Sequence, residues 1–82
     1  MQYRIEIEKS ALKFIAKQPK PQRERLLTAI YALPETGDIK PLAGYKAAYR
    51  LRVGDYRVIY TLNNSILLVT VVSVGNRGDV YK

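Results

Sequence analysis

Apolar and polar residues alternate from the start of the chain, with Tyr3, Ile5 and Ile7 on one phase and Gln2, Arg4, Glu6 and Glu8 on the other. That period of two predicts a strand with one buried face. Ser10 is placed to cap a helix in which Ala11, Leu12, Phe14 and Ile15 lie near one face and Lys13 and Lys17 outside it. Pro19 and Pro21 end this helix. Proline is tolerated in a first helical turn, so Pro21 also fits the start of a second helix, whose apolar stripe is Leu26, Leu27, Ile30, Tyr31 and Leu33. Pro34 to Gly37 closes it, and a loop rich in turn formers is expected as far as Gly44.

From Lys46 onward the period returns to two. Tyr49, Leu51 and Val53 alternate with Arg50 and Arg52, Gly54-Asp55 forms a tight turn, and Tyr56, Val58 and Tyr60 alternate with Arg57, Ile59 and Thr61. After a turn at Asn63 to Ser65, the stretch from Ile66 to Val74 is apolar or β-branched at nearly every position, which suits a central strand covered on both sides. The predicted order is β-α-α-β-β-β. It describes an α+β fold with two helices packed on one face of a four-stranded, mainly antiparallel sheet. Eighty-two residues allow one core, so a single domain over residues 1–82 is expected, without repeats or low-complexity segments.

Composition narrows the chemistry. The chain has no Cys and no His, and its seven carboxylates are scattered rather than spaced as a hard-ion loop, so neither a metal nor a cofactor is expected. Small domains without such staples often lean on a binding partner. The opening residues lack the apolar core of a signal peptide, and Thr70 and Ser73 interrupt the longest apolar run. A cytoplasmic protein without a membrane partner is therefore expected. Fourteen Lys and Arg against seven acids give a formal net charge of +7, which favours a polyanion, with nucleic acid or a ribosome first.

The arginines give that charge a place. If Gly54-Asp55 is a two-residue hairpin loop, Arg52 faces Arg57 and Arg50 faces Ile59, which puts three arginines on one sheet face. Like charges directly opposed across a hairpin are destabilising, and a chain that tolerates the cost is offering an anion site. Arginine suits phosphate because its planar fork donates two bonds and stays protonated. The same residues also suit an ordinary solvated face, each splayed toward water. A second cluster is the tail, where the apolar strand breaks at Gly75 and is followed by Arg77, Tyr81 and Lys82. Tyr81 fits either a packing role or stacking on a nucleobase. Tyr3, Tyr49, Tyr56 and Tyr60 fall on the core-facing phase and Tyr31 in a helix stripe, which makes them structural, while Tyr45 is ambiguous.

The run from Tyr49 through Arg57 to Tyr60, followed by Val72 to Arg77 and then Val80-Tyr81, resembles the RelE family of the RelE/ParE superfamily over essentially the whole chain. The resemblance implies a ribosome-dependent endoribonuclease that cleaves mRNA in the decoding site and is neutralised by a cognate antitoxin. Carried over by position, it gives catalytic roles to Arg50, Arg57, Arg77 and Tyr81. Lys46, Arg52 and Lys82 are read as RNA-binding. One position departs: where well-known members carry a lysine two residues before the Arg50 position, this chain has Ala48, with Lys46 another two residues back on the same strand phase.

The chemistry the resemblance implies is transesterification. The RNA 2′-OH attacks the adjacent phosphorus, leaving a 2′,3′-cyclic phosphate and a 5′-OH. It needs a base, an acid for the leaving oxygen and positive charge on the phosphorane. Without His, no side chain has an ordinary pKa near neutrality. A guanidinium beside Tyr81 would favour its phenolate and make it the candidate base, with Arg77 aiding the leaving group and Arg50 and Arg57 stabilising charge. So poor an inventory suits an enzyme whose substrate the ribosome orients. Two other readings stay open: a ParE-like gyrase inhibitor, and a non-catalytic RNA- or ribosome-binding module that would not need Tyr81.

Overall fold

A computed structural model describes residues 2–76 of the chain. Strand β1 (Arg4–Ile7) leads directly into helix α1 (Lys9–Ala16). The Glu8 N–H still bonds the Val71 carbonyl at 2.9 Å, while the Glu8 carbonyl already accepts from Leu12 N–H at 2.9 Å. Strand and helix share that residue. The helix is therefore capped by the extended backbone of Glu8 with no side-chain cap, and the expected cap, Ser10, lies inside the first turn. Helix α2 (Lys20–Tyr31) starts as expected, with Pro19 at its cap and Pro21 in its first turn.

The expected long loop after α2 contains a strand. β2 (Asp38–Pro41) pairs antiparallel with β3 (Ala48–Val53), and β3 forms a hairpin with β4 (Tyr56–Asn63). Gly54 has a φ of +56°, while Asp55 stays out of the positive-φ region, the pattern of a type II′ turn. β5 (Leu68–Asn76) returns beside β4 and is joined in parallel by β1. The sheet is thus five-stranded and mixed, with the order β1-β5-β4-β3-β2, and not the four-stranded sheet expected. β2 escaped because its four residues carry one apolar core contact, Ile39, and end in a proline, which only an edge strand tolerates.

Both helices pack on one face of the sheet. Ala11 and Ile15 of α1 and Leu26 and Ile30 of α2 meet Leu51, Val53, Val58, Tyr60, Val69, Val71 and Val74 in one buried cluster. Val71 and Val74 face the same way because the β4–β5 register shifts between Ile59 and Tyr60, leaving Val72 as an extra residue. Aromatic pairs join helix to sheet and strand to strand. Phe14 of α1 meets Tyr56 edge-on at 6.1 Å, and Tyr49 stacks on Tyr60 at 5.5 Å across the hairpin. The Tyr56 hydroxyl donates to Gln18 Oε1 at 2.9 Å. The expected stripe of α2 is corrected at its end. Leu33 is buried beyond the helix, whereas Tyr31 stands 61% exposed.

Candidate nucleic-acid interface

Opposite the helices, the pairing registers arrange side chains in rows across the sheet. One row runs Asp38, Arg52, Arg57, Gly75, and the next runs Lys40, Arg50, Ile59, Ser73. Arg50, Arg52 and Arg57 therefore share a face, and Arg52 lies directly opposite Arg57, as the hairpin register predicted. Gly75 sets no side chain beside Arg57. Strand β2, which lies where a loop is expected from the sequence, contributes two residues to this face: Lys40, exposed beside Arg50, and Asp38, beside Arg52.

Asp38 organises the row. Arg52 Nε donates to Asp38 Oδ2 at 3.0 Å, and Arg50 Nη2 lies 3.6 Å from Asp38 Oδ1. The three arginines are not equivalent. Arg50 is only 8% exposed, whereas Arg52 and Arg57 are half-buried. Neither Nε nor Nη2 of Arg50 has a hydrogen-bond partner, so its contact with Asp38 is one of charge alone. A buried guanidinium with an unsatisfied donor is costly unless an anion completes it. The face is thus a layered cationic site, with Arg50 as its floor and Arg52 and Arg57 within reach of a ligand.

Lys46 does not join this row. β3 begins at Ala48, Lys46 sits in the preceding turn, and Ala47 has a φ of +54°, which breaks the strand phase on which Lys46 was expected. Tyr45 beside it is 71% exposed, which removes it from the core. Ala48 is buried on the open face, opposite Thr61. The expected site residues Arg77, Tyr81 and Lys82 lie outside the described residues.

The phenol of Tyr60 is pushed up to about 12 by burial and, secondarily, by Tyr49. It belongs to the core and stays protonated at neutral pH. Among the described residues no group of three His, Cys, Asp or Glu is placed to hold a metal ion, and no helix is long and apolar enough to cross a membrane. A shallow groove of about 600 Å³ lies on the helical side, lined by Pro21, Arg25, Ala29, Gly37 and Val53 among others. It shares no residue with the arginine face.

Residues 5–81 match the family model described as the ParE toxin of type II toxin–antitoxin system, parDE. A protein of Methanocaldococcus jannaschii named RelE1 is 28% identical over 88 residues, covering all of this chain and 98% of that protein. Among solved structures, RelE in the archaeal RelE–RelB complex from Pyrococcus horikoshii OT3 superposes with a TM-score of 0.78 at 33% identity, covering 96% of this chain and 99% of that one. The isolated E. coli RelE toxin gives 0.73 at 28% identity, covering 96% and 90%.

Proposed function

Because this chain belongs to the RelE/ParE family of type II toxin–antitoxin toxins, we propose that it arrests translation by cleaving mRNA on the ribosome. The observation that carries the reading is the open sheet face, where Arg52 and Arg57 stand opposed above a buried Arg50. RNA phosphate enters between Arg52 and Arg57, and Arg50 adds positive potential from below, where a low dielectric strengthens it. The 2′-OH of the preceding nucleotide attacks phosphorus, and the products are a 2′,3′-cyclic phosphate and a free 5′-OH.

Proton transfer is assigned, on the family resemblance, to Tyr81 as base, with Arg77 serving the leaving oxygen. Lys40 joins Arg52 as an RNA-backbone contact, and on the family resemblance Lys82 is assigned the same role. The ribosome supplies substrate orientation that so few acid–base groups cannot, and positioning alone can be worth about 7–11 kcal/mol. The resting partner is a cognate antitoxin, as in the relative crystallised with RelB.

The test is purified toxin on programmed ribosomes with product ends mapped. Cyclic phosphate ends, lost in Tyr81→Phe by about 10²-fold, support the reading. Linear 3′-phosphate or 3′-OH ends as first products contradict it. A second reading, gyrase inhibition, is favoured by the ParE description of the matching family model. It predicts no RNA cleavage and a block of DNA supercoiling in a parallel assay.

A further inference from the structure

We propose that Asp38 is a positioning residue of the RNA-cleaving site, anchored by buried Arg50 and orienting Arg52 beside Arg57 to grip the phosphate. This rests on the ribonuclease reading. The first ground is the direction of the contacts. Asp38 Oδ2 takes the Nε–H of Arg52 at 3.0 Å, which fixes the guanidinium by its inner nitrogen and leaves both terminal Nη groups for another anion. Asp38 Oδ1 lies 3.6 Å from Arg50 Nη2, and that cation is 8% exposed. An enclosed arginine has little freedom to wander, so its fixed charge draws the carboxylate into place, and the carboxylate in turn holds the outer arginine by a hydrogen bond.

The second ground is charge. Asp38 stands among Lys40, Arg50, Arg52 and Arg57. A carboxylate there weakens attraction for RNA, and its pair with half-exposed Arg52 contributes little to stability. Its charge offsets part of the cost of burying Arg50, and geometry is the rest of what it returns. Directly opposed residues on paired strands have Cβ atoms about 4.5–5.5 Å apart, so Arg52 and Arg57 would repel and splay without a counter-charge. With Asp38 on the outer side of Arg52, two forks can converge on one phosphate. The placement is local to β2, whose register sets Asp38 against Arg52 just after Gly37, a residue with a φ of +134°.

The experiment compares wild type, Asp38→Asn, Asp38→Glu, Arg52→Ala and the Asp38→Asn/Arg52→Ala double variant. Cleavage on programmed ribosomes is measured with kcat and KM separated, and the arginine Nε–H signals are followed by NMR. Asp38→Asn is expected to lower kcat by about tenfold or more, as small misplacements at a reacting centre do, while KM stays level or falls because a negative charge has gone. Asp38→Glu should recover part of the rate. The double variant should be no slower than Arg52→Ala alone, since the carboxylate acts through that arginine. In the spectrum, the exchange-protected Arg52 Nε–H should vanish in Asp38→Asn and persist in Asp38→Glu.

Wild-type kcat in Asp38→Asn, or losses that multiply in the double variant, overturns the assignment. A rate that merely tracks a lower folded fraction does so as well. If wild type leaves mRNA intact on ribosomes, the ribonuclease reading falls by itself. The positioning claim is then decided by titrating inorganic phosphate. The Arg52 and Arg57 signals should respond together in wild type and separately in Asp38→Asn, and separate responses in wild type overturn it.

Discussion

Arg57 is the outer cation contributed by β4 to the open face. It faces Arg52 across the hairpin and has no side chain opposite it on β5, where Gly75 sits. Arg57→Ala should lower cleavage on ribosomes by about 10²–10³-fold, the usual loss when a preorganised charge is removed. Stability should change by about 1 kcal/mol or less. Growth arrest on induction, paired with a thermal melt of the purified variant, checks both halves. Tyr60 carries a different prediction. Its phenol is pushed up to about 12 from an ordinary 10.0, first by burial and then by Tyr49. On unfolding it returns to its ordinary value, so above pH 10 the unfolded chain loses this proton while the folded chain keeps it. Stability conferred by the protonated phenol is complete below pH 10. It is lost as pH rises toward 12, at about 1.4 kcal/mol per pH unit. Denaturant melts of wild type and Tyr60→Phe across that window should diverge, with the variant falling less steeply. Parallel curves would place the titration elsewhere.

Among the elements, β3 and β4 were legible because their alternation is strict, and their turn fixes which residues oppose. That register alone put Arg50, Arg52 and Arg57 on one face. β2 was not legible, since Gly37 and Pro41 bracket too few residues for a period to show, and its existence depends on hydrogen bonds to β3 rather than on its own pattern. Asp38 and Lys40 were hidden with it. The burial of Arg50 was hidden too, because alternation says which face a residue takes and not how deeply it lies. Lys46 was misplaced because the left-handed backbone at Ala47 has no side-chain signature. The same element yields a test. A Cβ on Gly37 would come within 2.6 Å of Leu51 Cδ1, a side chain buried in the core. Gly37→Ala should therefore cost about 1–3 kcal/mol and slow cleavage beyond the loss of folded protein, by shifting Asp38. A control on the other layer is Leu26→Ala, fully buried under α2. It should cost about 2–5 kcal/mol yet leave the rate per folded molecule unchanged in a single-turnover assay.

For the molecule as a whole, the helices bury one face of the sheet and leave the other as a cationic surface on a chain of net charge +7. Division of labour follows from that layering. The buried core lies on the helical side and the proposed anion site on the open side, so the two should be separable by mutation. An antitoxin that covers the arginine face must bring negative charge, and its affinity should fall as salt rises. A salt-insensitive complex confined to the helices would mean that the antitoxin acts without touching the site. The most direct test of the central claim is the cutting rate of one mRNA, measured with purified toxin, with and without programmed ribosomes. Cleavage is expected only on ribosomes, and it should be lost in Arg57→Ala. Equal cutting of naked mRNA, or intact mRNA on ribosomes alongside blocked gyrase, would contradict the claim.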